Sequence, residues 1–137
     1  MKNVFLILAT VMVLGTTSAQ DTITEPTKME QVMESHDVVM DKMPLISKLI
    51  NQLQTKANAS YDKKKYEDAI ADLKNANKSM MTWMENFGKR FDADEMLKGK
   101  QLTPQKQEWI LEEEENVSLL DEEIELSIDQ AKAVLDY

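Results

Sequence analysis

The chain has 137 residues, enough for one domain, with no cysteine, a single histidine and a formal net charge of −9. These facts exclude a disulfide framework, thiol chemistry and a zinc site built from His and Cys. They also disfavour nucleic acid and anionic membrane surfaces as partners, because no basic stripe survives in the charge balance.

The first element is an N-terminal export signal. Met1-Lys2-Asn3 carries one positive charge, an apolar run extends from Val4 to Leu14, and small residues at Thr17 and Ala19 suit a signal peptidase. The run is shorter than the roughly 20 residues a membrane span needs. The expectation is a signal peptide over 1–19, with Gln20 as the first mature residue, a short arm over 20–26, and a helical domain over 27–137. No membrane span remains after cleavage. Loss of Lys2 makes the mature charge −10.

The next segment spans about Thr27 to Ala57. Thr27 and Glu30 have the spacing of a capping box. Met29, Val32, Met33, Val39, Met40, Met43, Ile46, Leu49, Ile50 and Leu53 follow in steps of three and four, which predicts one apolar helix stripe. Pro44 interrupts that stripe and predicts a kink. Asn58 to Tyr61 reads as a linker.

A second helix is predicted from Asp62 to about Phe91, with Tyr66, Ala69, Ile70, Leu73, Ala76, Met80, Trp83, Met84, Phe87 and Phe91 on its stripe. The stretch from Tyr61 to Ile70 reads like part of a tetratricopeptide repeat. A solenoid needs about three such units, and no second copy occurs. Asp92 to Leu102 is a polar connection containing Gly99. Its Asp92, Asp94 and Glu95 resemble a calcium loop only in composition.

Thr103-Pro104 opens the third long segment as N-cap and first helical residue. Its stripe is Ile110, Val117, Leu120, Ile124, Ser127 or Ile128, Ala131, and Val134 or Leu135. From Pro104 to Tyr137 there are eleven acidic and two basic residues, so most of the net charge belongs here. Lys63, Lys64, Lys65, Lys74 and Lys78 on the second helix are candidates to balance it. Short connections make neighbouring helices antiparallel. The fold class read from the pattern is all-α, an antiparallel up-down-up three-helix bundle with coiled-coil spacing.

The stretches Glu34-Ser35-His36-Asp37-Val38-Val39-Met40-Asp41-Lys42-Met43 and Ser79-Met80-Met81-Thr82-Trp83-Met84-Glu85-Asn86-Phe87 resemble a group of short exported proteins of Bacteroidota. Some of these carry the label viral A-type inclusion protein. The resemblance implies export and a helical fold, and it implies no activity. Many members look like lipoproteins with a cysteine after the signal, which this chain lacks.

One layer could carry chemistry. A hairpin turning near Ser60 sets His36 opposite Met84 and Met40 opposite Met80, with Trp83 adjacent. Thioethers with one imidazole are soft ligands suited to Cu(I). Methionine at helical spacing equally serves as gap-filling core. A second hairpin turning near Gly99 would bring Glu113 or Glu114 to His36, making a polar layer inside the bundle. Two Glu-x-x-His pairs for a di-iron site, a glycine-rich phosphate loop and a nucleophile elbow are all missing. The function expected by elimination is a non-enzymatic, soluble periplasmic or secreted module that binds a protein partner, or forms homo-oligomers, without a cofactor. The rivals are a copper-binding protein using His36, Met40, Met80 and Met84, and a carrier of small apolar ligands with its pocket at the Met-rich centre around Pro44.

Overall fold

A computed structural model describes residues 25–136; the segments read as signal peptide and most of the arm lie outside the described residues. Four helices and no strand occur among the described residues. They are α1 (Lys28–Ala59), α2 (Lys64–Arg90), α3 (Ala93–Leu97) and α4 (Pro104–Leu135). The three long helices match the predicted segments to within about two residues. The short α3 lies in the connection read as loop.

Three of the four described helices have a side-chain cap at their start, and α2 has none. Thr27 Oγ1 accepts from the Glu30 N–H at 3.2 Å while Glu30 Oε2 accepts from the Thr27 N–H at 2.7 Å, the predicted capping box. Asp92 and Glu95 form a second one, and it nucleates α3. Thr103 caps α4, with Pro104 in its first turn. Pro44 is exposed and stays inside one continuous α1. Gly99 has φ 67°, a left-handed conformation that costs glycine little and turns the chain after α3.

The buried stripes follow steps of three and four residues. On α2 the seam is Ala69, Leu73, Ala76, Met80, Trp83 and Phe87, continued by Phe91 just beyond the helix; on α4 it is Ile110, Glu113, Val117, Leu120, Ile124, Ser127 and Ala131, with Ile70 and Ile128 buried beside it. This spacing is that of coiled-coil seams. Leu73, Met80, Phe87, Val117, Leu120 and Ile124 are all buried in one core that draws on all three long helices. Each long helix touches the other two. No helix among the described residues is long and apolar enough to cross a membrane.

Two methionines predicted on these stripes lie off them. Met40 is 38% exposed and Met84 43% exposed. Each follows a buried heptad residue, Val39 and Trp83, by one position. One residue turns a helix by about 100°, which carries both side chains out of the core.

Candidate functional site

The layer around His36 forms where the first hairpin predicts it. The imidazole stacks on the Trp83 indole, with ring centroids 5.8 Å apart. Trp83 continues onto Phe87 at 4.9 Å, and Phe87 onto Phe91 at 4.8 Å. Four rings thus run along the seam. Of the four candidate soft ligands, Met80 is in the core, His36 is half-buried, and Met40 and Met84 are exposed. His36 Nδ1 lies 3.0 Å from Asp37 Oδ1 on its own helix. Trp83 Nε1 is buried without a hydrogen-bond partner.

The expected pairing of His36 with Glu113 or Glu114 is not formed. Glu113 is 3% exposed, and its Oε1 accepts from Arg90 at 3.0 Å. Glu114 accepts from Lys28 at 2.6 Å. The cause is register. The bonds from Ser79 to Glu123 and from Arg90 to Glu112 set α4 about one helical turn further along than a turn centred on Gly99 would. The level of Met84 therefore meets α4 near Ser118, below the paired glutamates.

Among the described residues Lys63, Lys64, Lys65, Lys74 and Lys78 make no ion pair with α4. Its carboxylates pair instead with Lys28 and Lys42 of α1 and with Arg90 of α2. Arg90 also lies over the Trp109 ring at 5.5 Å. The residue that sequence reading left off the α4 stripe is Glu113 itself. The step from Ile110 to Val117 leaves position 113 facing the core, and the acidic run hid that signal.

A second buried carboxylate sits at α3. Glu95 is 3% exposed, and its Oε2 accepts from Lys106 Nζ at 2.6 Å and from the Asp92 N–H at 2.8 Å. The Lys106 hydrogen bond, then the Asp92 backbone N–H, hold the Glu95 carboxyl below its usual range. Asp92 is lowered in the same way, chiefly by its bond to Lys100. The folded state therefore binds fewer protons than the unfolded chain in mild acid. The stabilisation is complete above the ordinary glutamate value of 4.5 and is lost as pH falls through the lower folded value. Amide exchange should show α3 losing protection in that window before α2 does. Glu95→Gln should shrink the pH-dependent step, leaving the part due to Asp92; an acid transition unchanged in that variant would refute this origin.

Beside Glu95 lies a cavity of about 470 Å³, bounded by the first turn of α1, α3, the turn at Gly99 and the first turns of α4. Its apolar walls include Met29, Met96, Leu102 and Ile110. The cavity is thus at the α3 end of the molecule, not at the centre around Pro44. Among the described residues no cluster of three or more His, Cys, Asp or Glu side chains could hold a metal ion.

The outer side of α4 is the other distinctive surface. Leu111, Leu119 and Leu126 are 53%, 57% and 71% exposed. Leu119 and Leu126 are seven residues apart and share a face. Glu115 and Glu122 lie on the same exposed side and make no ion pair among the described residues. Comparison of the chain with family models, curated proteins and solved structures finds no match.

Proposed function

We propose that the protein is an exported, non-enzymatic interaction module. Residues 1–19 act as its cleaved signal, and the mature chain is an up-down-up three-helix bundle. The topology is supported by three ion pairs and one hydrogen bond. Lys28 with Glu114 and Lys42 with Asp121 advance together along α1 and α4, while Ser79 with Glu123 and Arg90 with Glu112 run oppositely along α2 and α4.

The observation that carries the function is the exposed leucine row on an acidic helix. A row of apolar side chains rimmed by charge suits a polypeptide partner. Here the rim acids Glu115 and Glu122 have no cation of their own, so the partner face is apolar and basic. Two copies placed α4 against α4 would set carboxylates against carboxylates, so the partner is a different surface.

The test is native mass spectrometry of the protein purified from its own source, beside a Leu119→Asp/Leu126→Asp variant. The unaltered protein should carry a basic partner in fixed stoichiometry, and the variant should be recovered alone. The melting temperature should hardly move, since exposed substitutions cost about 0.5 kcal/mol or less. A lone monomer in both cases, or a complex indifferent to the two aspartates, would reject the reading.

A further inference from the structure

The cavity beside α3 has a feature that the interaction surface does not use. Its volume of about 470 Å³ is in the range of small-molecule sites, roughly 300–1,000 Å³. Met29, Met96, Leu102 and Ile110 supply apolar walls, and the exposed Leu97 and Leu111 stand at the rim. One polar side chain on this wall is almost wholly buried. Glu95 is 3% exposed, and both of its hydrogen bonds fall on Oε2. Its Oε1 makes no hydrogen bond among the described residues. Oε1 keeps solvent access and Glu95 lines the cavity, so a ligand donor there would take the place of water. The charge of this carboxylate is already met by Lys106, so a second cation is not required. What the site lacks is one neutral donor presented from the apolar side.

We propose that this cavity binds one small, neutral, largely apolar molecule that carries a single N–H or O–H group, with that group donating to Glu95 Oε1 and the apolar body packing on Met29, Met96, Leu102 and Ile110. The patch of Met29, Met96, Leu102 and Ile110 favours an apolar body over a strongly hydrated one, because a polar group placed against it would lose its hydration, while Lys28, Glu30, Lys100, Gln101 and Gln107 also line the cavity. The volume excludes a folded partner. The pairing of one acceptor with a half-open, largely apolar cleft is a usual way such sites orient a ligand.

The probe for the test is N-phenyl-1-naphthylamine, an apolar fluorophore with one N–H. Titrated into the full chain, it should bind one to one with enhanced, blue-shifted emission. Leu97→Asp and Leu111→Asp place a charge at the rim without touching the core, and each should weaken binding at least tenfold. The donor is tested without altering Glu95, whose loss could unfold α3. In competition, 1-benzylnaphthalene, which replaces N–H by CH2, should bind at least tenfold more weakly. Leu126→Asp should leave the affinity within twofold, which separates this site from the proposed docking face. Absence of stoichiometric binding, equal affinity of the two probes, or a loss with Leu126→Asp would each overturn the proposal. Binding seen only after removal of residues 20–24 would also overturn it, by making the chain's own arm the occupant.

Discussion

Replacing Met80 with alanine should lower the unfolding free energy by about 3 kcal/mol, whereas Met40→Ala and Met84→Ala should change it by about 0.5 kcal/mol or less. The three methionines look alike in the sequence, each on a three-or-four-residue step from its neighbours. Met80 is 1% exposed and packed among residues of all three long helices. Its truncation leaves a cavity that a close-packed interior fills only in part. Met40 and Met84 are exposed by 38% and 43%, so truncation removes contacts on one side only, and alanine's slightly better helix propensity offsets part of that. Urea denaturation with a common slope measures all three. A loss at Met84 as large as that at Met80 would mean that the thioether layer around His36 is buried in solution.

Arg90→Ala should cost about 3 kcal/mol, near the lower end for breaking a buried ion pair because Arg90 is itself one-third exposed. The substitution strands the Glu113 carboxylate, 3% exposed, with Asn116 Nδ2 at 3.4 Å as its remaining hydrogen-bond donor. It also removes the guanidinium from the Trp109 ring. Burial of an unpaired charge is the larger part of the cost. The double variant Arg90→Met/Glu113→Leu should therefore recover most of the loss, since an apolar pair of similar volume needs no partner. Recovery in the double variant with a large loss in the single one is the expected pattern. Equal losses in both would show that Arg90 acts through Trp109 rather than through Glu113.

Both predictions rest on positions whose type was legible and whose partner was not. The apolar steps of three and four, the Thr27–Glu30 box, the Thr103–Pro104 start and the scarcity of breakers determined three long helices and most of their inward faces, because helix periodicity and capping act over a few residues. The pairing of His36 with the Trp83 level was also readable, since a short connection leaves little freedom in the register of the first hairpin. The second hairpin was not readable in the same way. Its connection holds a helix of its own, nucleated by Asp92 and Glu95, and that helix moved α4 about one turn from the position a simple loop predicts. This shift gave Glu113 to Arg90 instead of His36 and created the cavity beside Glu95. Which glutamates of an acidic run are buried, and which cation meets each, depends on distances between helices that local pattern does not contain. Only the packing of α1 and α2 against α4 decided it.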